Sequence, residues 1–132
     1  MHWAYSGEKG PKNWGIISKK YELCRTGIKQ SPINIDSDLE ITKDDLNLSI
    51  NYQKCTLSII DNGHTIQLTP KKNTHTMSFN NDTYRLIQFH FHSLSEHTFQ
   101  GKHHQMEMHL VHQNNSGDHA VLAVALTDQK ES

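Results

Sequence analysis

Polar and apolar residues alternate along two stretches of this chain, and this alternation constrains its fold more than any other feature. In residues 87–92 and again in residues 106–110, apolar side chains occupy every second position. Successive side chains of an extended strand point to opposite faces, so each stretch predicts a strand with one apolar and one polar face. The polar faces carry Gln88, His90 and His92 on the first strand, and Glu107 and His109 on the second.

Other short runs also have the composition of strands and are separated by turn residues. Asn62-Gly63 is a strong hairpin signal, and no run has a convincing helical period. Residues 2–27 are broken by glycine and proline and predict a coil that packs Trp3 and Trp14 against other residues. We therefore predict a single, mainly β domain over residues 1–132, with little helix. The predicted strands are 31–35, 46–52, 56–60, 65–68, 76–79, 84–92, 106–112 and 120–126.

Histidine is unusually frequent, with 11 of 132 residues. This excess makes metal binding the first hypothesis to consider. The formal charge of -1 disfavours nucleic acid and anionic membranes as partners. No apolar run approaches the roughly 20 residues that a transmembrane helix needs, and no export signal opens the chain. Cys24 and Cys55 permit one disulfide without implying it.

Three histidines are the predicted metal ligands. If the two alternating strands pair, His90, His92 and His109 converge on one face. Three histidines leave the fourth position of a tetrahedral zinc ion open, as in catalytic sites. Gln88 and Glu107 each precede a ligand by two residues and are placed to accept the free ring N–H. The alternative is that these histidines are polar groups on a half-exposed strand.

The remaining histidines have weaker signals. His112 lies on the face opposite His109, so we expect it to be packed or hydrogen-bonded, and His97 follows Glu96 and is expected in a polar network. His64 directly follows the Asn62-Gly63 turn, where a side chain can swing between solvent and a cavity. We expect the others in polar segments to be solvated: His75, His103, His104 and His119.

Seven ordered segments of the chain resemble motifs of the alpha-class carbonic anhydrases of bacterial type, and specifically the N-terminal half of that domain. The resemblance implies a truncated form of the family's central antiparallel or mixed sheet. The matching segments are Trp3-x-Tyr5, Gly10-Pro11-x-x-Trp14, Gln30 to Ile35, Asn62-Gly63-His64, Gln88 to His92, Ser95-Glu96-His97 and Glu107 to His112.

The resemblance implies a role for several side chains in zinc-dependent hydration of carbon dioxide to bicarbonate. His90, His92 and His109 would bind Zn²⁺, with Gln88 and Glu107 as their outer partners. His64 would be the proton shuttle, and Glu96 would orient a hydroxyl group beside the zinc. The substrate pocket would include Tyr5, Asn62, Gln67, Val111 and Val121. The family also implies binding of sulfonamide-type inhibitors and a periplasmic or secreted location, with Cys24 as one partner of a disulfide found in exported members.

Family members are usually about twice this length, so the resemblance implies that half of the pocket lies outside this chain. Missing strands would leave sheet edges and apolar surface open to another chain. We therefore expect a homodimer in which a second copy covers the open face, and we expect turnover to suffer more than zinc affinity.

Two other interpretations fit part of the sequence. His90-x-His92-x-x-x-Glu96 also matches the string of cupins, in which Glu96 would be a fourth ligand to zinc, iron or manganese. The downstream cupin motif is absent, however. A non-catalytic, carbonic anhydrase-like module for zinc binding or assembly is the second alternative.

Overall fold

Short strands make up most of the fold, as the alternating pattern predicts. The computed structural model describes residues 2–40, 42 and 44–128. Its internal contacts divide the chain into two units, Met1–Ile33 and Asn34–Ser132. The single domain over residues 1–132 stays a prediction. None of the described helices is long and apolar enough to cross a membrane.

The first unit consists of short helical turns, where the sequence predicted coil. Helices α1 (Trp14–Ile17) and α2 (Leu23–Thr26) alternate with 3₁₀ turns at Gly7–Lys9, Pro11–Asn13 and Lys19–Tyr21. Gly15 lets the two helices approach closely, because a Cβ at this position would lie 2.3 Å from Cβ of Arg25. Helices of four residues are too short to present a periodic apolar face, so no helical period is visible in this part of the sequence.

Three aromatic rings form the centre of this first unit. Trp3 and Trp14 have ring centroids 5.2 Å apart, and Tyr5 packs edge-on against both. The indole N–H of Trp14 donates to the carbonyl oxygens of Ala4 and Lys9, each at 3.0 Å. Trp3 and Trp14, which were predicted to pack against other residues, therefore pack against each other and against Tyr5.

The second unit contains a seven-stranded sheet and a small three-stranded sheet. The strands are β1 (Asn34–Ile35), β2 (Ser49–Asn51), β3 (Leu57–Asp61), β4 (Ile66–Pro70), β5 (Thr76–Phe79), β6 (Asp82–His92), β7 (Thr98–Phe99), β8 (Lys102–His103), β9 (Met106–Gln113) and β10 (His119–Leu126). In the large sheet the strand order is β10-β9-β6-β4-β3, and β5 pairs with both β2 and β6. In the small sheet β7 lies between β1, to which it is parallel, and β8.

Every predicted strand is present at least in part, although the bounds of β1, β2, β3 and β4 differ from the predicted ones. β5 has the predicted bounds, and β6, β9 and β10 each extend the predicted run by one or two residues. The stretch 46–52 forms a strand only over Ser49–Asn51. β7 and β8 were missed because two-residue strands are too short to show an alternating pattern.

A bulge in β6 sets its alignment with β9. Leu86 lies opposite His112, but the next pair is Gln88 opposite Val111, so Ile87 is the extra residue. Without this extra residue the same alignment would place Phe89 opposite His109. With it, His90 lies opposite His109, and the polar faces of the two strands coincide.

The back of the sheet, away from these polar faces, holds the apolar core and two buried histidines. Met77, Leu86 and Leu110 are the buried hydrophobic residues of the described chain. His112 is fully buried, and a hydrogen bond of 2.6 Å joins its Nε2 to the Tyr52 hydroxyl. This agrees with the prediction that His112 is packed rather than a ligand.

His75 is not solvated, contrary to expectation. Its side chain is only 2% exposed, and the backbone N–H of Gln53 donates to its Nδ1 at 3.2 Å. The chain segment that follows β2 therefore covers this histidine. Lysines 71 and 72 nearby made the segment look exposed, but the covering residues lie more than 20 positions earlier in the chain.

We predict that Tyr52→Phe lowers the free energy of unfolding of the metal-free chain by about 1–3 kcal/mol. The substitution leaves the buried Nε2 of His112 without its hydrogen-bond partner. Urea denaturation followed by circular dichroism measures the change. The double variant Tyr52→Phe/His112→Leu should recover part of the loss, because it removes both polar partners. A single variant as stable as the parent would show that the hydrogen bond contributes nothing.

Candidate metal centre

Pairing of β6 with β9 brings the three predicted ligands together. His90 lies directly opposite His109, and His92 lies opposite Glu107. One potential ligand atom from each of His90, His92 and His109 lies within 4.8 Å of the other two. Ring centroids are 4.6–5.5 Å apart. Atoms this close can bind a single ion, and the expected convergence on one face is present.

Two outer partners determine which ring nitrogens face the centre. Oε1 of Gln88 lies 2.9 Å from Nδ1 of His90, and Oε2 of Glu107 lies 2.6 Å from Nε2 of His109. An amide oxygen and a carboxylate can only accept, so these ring nitrogens carry the protons. The lone pairs of Nε2 in His90 and Nδ1 in His109 are thereby left for a metal ion.

Glu107 is itself buried and links a fourth histidine to the centre. The carboxylate is 1% exposed, and it accepts hydrogen bonds from Nδ1 of His97 at 3.0 Å and from the His97 backbone N–H at 3.3 Å. Burial alone would raise the pKa of the Glu107 carboxyl, but the hydrogen bonds from His109 and His97 outweigh it and lower the pKa. Glu107 is therefore an anion, and His97 belongs to a polar network as predicted.

The environment favours the neutral form of two of the three histidines. Burial is the largest effect that lowers the pKa of His90 and of His92 below the ordinary value, and the charges of neighbouring imidazoles lower it further. Metal ions bind the neutral imidazole, so a lowered pKa favours binding at neutral pH. Three converging imidazoles, two of which are held by outer partners, are a donor set that fits zinc.

Glu96 lies beside the centre without joining the group of close ligand atoms. Its Oε1 is 3.5 Å from Nδ1 of His92, and its Oε2 is 3.6 Å from Nδ1 of His109. Burial is the main cause that raises the pKa of this carboxyl. Glu96 is thus close to two of the candidate ligands, and its role in orienting a hydroxyl group stays a prediction.

Of the other residues predicted for the pocket, three lie in the large sheet and Tyr5 lies in the first unit. Gln67 lies opposite His90 on β4, and Val111 and Val121 lie opposite each other on β9 and β10. The strand register places all three on the face of the ligands. Tyr5 belongs to the first unit, where it is 46% exposed beside Trp3 and Trp14.

His64 lies at the turn between β3 and β4. The turn is organised by Asn62, whose Oδ1 accepts the backbone N–H groups of His64 and Thr65, both at 3.0 Å. Nδ2 of Asn62 reaches Oε1 of Gln67 at 3.5 Å. Gly63 adopts a φ of 85°, which explains why glycine follows asparagine here. The exposed His64 is therefore carried by a turn that is tied to the site face.

Comparison with known proteins identifies the family to which this arrangement belongs. The model of the eukaryotic-type carbonic anhydrases matches residues 9–131. The chain belongs to this family, the alpha-class carbonic anhydrases. A carbonic anhydrase from Klebsiella pneumoniae is 42% identical over 132 residues, which are 99% of this chain and 53% of that protein. One from Nostoc is 39% identical over 96% of this chain and 48% of its own length.

A solved structure agrees with the sequence relatives. The alpha-carbonic anhydrase of Thermovibrio ammonificans, in complex with the inhibitor sulfanilamide, superposes with a TM-score of 0.87 at 37% identity and covers 98% of this chain and 57% of that one. The chain thus spans about half the length of the carbonic anhydrases that it matches. The family match also means that the cupin interpretation of Glu96 is not supported.

Two residues near the site were assigned no role of their own from the sequence. Ser95 belongs to one of the segments that resemble the family; it is 2% exposed, and its hydroxyl donates to the carbonyl of His97 at 2.7 Å and accepts the N–H of His104 at 2.8 Å. Thr65 hydrogen-bonds to the backbone of β6. Serine and threonine are common in loops, so these contacts could not be predicted without the three-dimensional structure. The two cysteines, Cys24 and Cys55, are both free.

We predict that Glu107→Gln weakens zinc binding about 10-fold to 100-fold, the usual cost of losing an outer partner. Glutamine has only one acceptor oxygen, so its NH2 group would face either His97 or His109, each of which needs an acceptor. Competition with a chromophoric chelator measures the dissociation constant. Glu22→Gln, at an exposed position of the first unit, is the matched control. Equal affinity in Glu107→Gln and the parent would contradict the assignment.

Proposed function

We propose that this chain binds zinc and catalyses the reversible hydration of carbon dioxide to bicarbonate and a proton. The observation that carries the proposal is the close group of His90, His92 and His109 with its outer partners Gln88 and Glu107. Relatives that bear the name carbonic anhydrase support the reaction.

His90, His92 and His109 would hold the zinc ion, with Gln88 and Glu107 fixing two of the rings. When bound, zinc supplies the Lewis acidity that makes water a nucleophile at neutral pH. The chain's own contribution is to orient the imidazoles and to lower the pKa of His90 and His92, mainly through burial, so that the neutral form is favoured. The buried Glu107 carboxylate also offsets positive charge at the centre.

An apolar surface next to the ligands suits an uncharged substrate. Val111 and Val121 lie on the same face as His109, on β9 and the neighbouring β10. Carbon dioxide has no charge and little polarity, so these side chains can accommodate it without competing for hydrogen bonds.

Release of the proton needs a group that communicates with solvent. His64 is exposed on its turn, while Asn62 and Gln67 provide polar atoms between that turn and the row that contains His90. We propose that these side chains order water molecules along which a proton reaches His64, which then passes it to buffer. Inhibitors of the sulfonamide class, such as the one in the Thermovibrio ammonificans complex, should bind at the same centre.

Zinc affinity should survive in this chain better than turnover. All three ligands and their outer partners lie within it, whereas it spans about half the length of the relatives. A hydration rate below that of a full-length relative is therefore part of the proposal.

We further propose that the 132-residue chain forms a homodimer through β10. This strand pairs only with β9 among the described residues, and it contains no Lys, Arg, Asp or Glu. Val121 is 54% exposed. Because Asp118 accepts the N–H of Asn114, alternation places the backbone groups of residues 119, 121, 123 and 125 on the open edge. Two copies of such an edge can pair in antiparallel orientation, and no Lys, Arg, Asp or Glu of β10 opposes this pairing.

We predict that the parent chain contains close to one zinc ion per chain after dialysis and that His109→Ala loses it. Removing one of three ligands leaves two imidazoles, which are too few for a stable site. Metal analysis and stopped-flow hydration of carbon dioxide are measured together. His119→Ala, an exposed histidine on the neighbouring strand, should retain the metal. Unchanged zinc in His109→Ala would refute the site.

We predict a concentration-dependent dimer in sedimentation velocity experiments. Ala125→Lys should shift the equilibrium to monomer, because a charged side chain on an edge strand opposes pairing. Ser58→Lys places the same change on the opposite edge strand, β3, and should leave the dimer intact. A parent chain that stays monomeric at every concentration would rule out the dimer.

A further inference from the structure

The side chain of Thr65 connects the His64 turn to the strand that carries two of the ligand histidines. Its hydroxyl donates to the carbonyl oxygen of Phe91 at 2.6 Å and accepts the backbone N–H of the same residue at 3.4 Å. Thr65 is half-buried, so water competes poorly for these groups. A single hydroxyl therefore satisfies both backbone groups of Phe91 on this edge of β6.

This contact occurs where the backbone pairing of β4 with β6 ends. The last pairs are Leu68 opposite Phe89 and Gln67 opposite His90. In the same register Ile66 would come next and would face Phe91, but no such pair forms between these described residues. The Thr65 hydroxyl takes the place of those backbone hydrogen bonds.

The backbone of Thr65 is occupied by the turn itself. Its N–H donates to Oδ1 of Asn62 at 3.0 Å, and its carbonyl accepts the N–H of Asn62 at 3.2 Å. Only the side chain is therefore directed to β6. Thr65 directly follows His64 in the chain, and its side chain is at the same time a hydrogen-bond partner of β6.

We infer that Thr65 is a positioning residue that sets the orientation of His90 and His92 for zinc. The inference rests on the proposed zinc function. Phe91 lies between the two ligands, so its peptide groups fix the directions in which both imidazoles leave the strand. A zinc site requires ligand distances within about 0.2 Å of ideal values. Releasing Phe91 from Thr65 would let the end of β6 shift by more than that tolerance.

Two substitutions separate the hydroxyl from the shape of the side chain. Thr65→Val keeps the branched shape and removes the hydroxyl, and Thr65→Ser keeps the hydroxyl. We expect Thr65→Val to weaken zinc binding about tenfold, in the range of other outer contacts, with Thr65→Ser close to the parent. Thr76→Val, on β5, makes the same chemical change away from the ligands and should bind zinc as the parent does.

The zinc dissociation constant from chelator competition is the primary measurement, and amide hydrogen exchange of the zinc-free chain is the second. The Phe91 amide should be protected in the parent and in Thr65→Ser and should lose protection in Thr65→Val, whereas the amide of Leu110 should not change. Equal zinc affinity in Thr65→Val and the parent would overturn the inference, as would failure of Thr65→Ser to restore it.

The measurement on the parent guards against a variant that fails to fold. A Phe91 amide that exchanges in the parent as fast as in an unstructured peptide would by itself overturn the inference. Failure of the proposed function gives a different result. A chain that binds zinc but does not hydrate carbon dioxide would count against the reaction alone, because the role of Thr65 is read from the difference in zinc affinity between variants.

Discussion

The alignment of β6 with β9 is the constraint on which the metal centre depends. A shift of one residue in the register would move the candidate ligands of one strand to the opposite face of the sheet from those of the other strand. The bulge at Ile87 prevents this, because it keeps Leu86 opposite His112 on the back of the sheet and brings His90 opposite His109 on the front. The apolar core and the metal centre are thus the two faces of one strand pair. A change that disturbs one of them will also disturb the other.

A buried anion stabilises the front face of this pair. Burying the Glu107 carboxylate is unfavourable unless its oxygens are hydrogen-bonded, and both oxygens accept hydrogen bonds from histidine side chains. Ser95 in turn holds the backbone of His97. Contacts therefore extend outward from the ligand His109 through Glu107 and His97 to a loop serine. Each contact restricts the next, so the candidate ligand His109 is oriented by a series of hydrogen-bonded residues.

The opposite side of the centre is more open. Val121 is 54% exposed on the face of the candidate ligands, and among the described residues β10 pairs only with β9. The chain spans about half the length of its relatives. The candidate ligands all lie on the paired strands β6 and β9, whereas the apolar surface beside them is exposed. This contrast is the physical reason to expect zinc affinity and turnover to respond differently.

The faces of the strands and the candidate ligands follow from the amino-acid order alone. Alternation with a period of two is a local property, so His90, His92, His109, Gln88 and Glu107 could be assigned to one face from neighbouring residues alone, and the resemblance to alpha-class carbonic anhydrases pointed to the same set. Features that depend on distant contacts became visible only in the folded chain. The bulge at Ile87, the burial of His75 beneath Gln53, and the bonds of Thr65 and Ser95 all involve residues whose partners lie in other segments. No local pattern encodes such partners, because the same serine, threonine or histidine would be equally at home in a solvated loop.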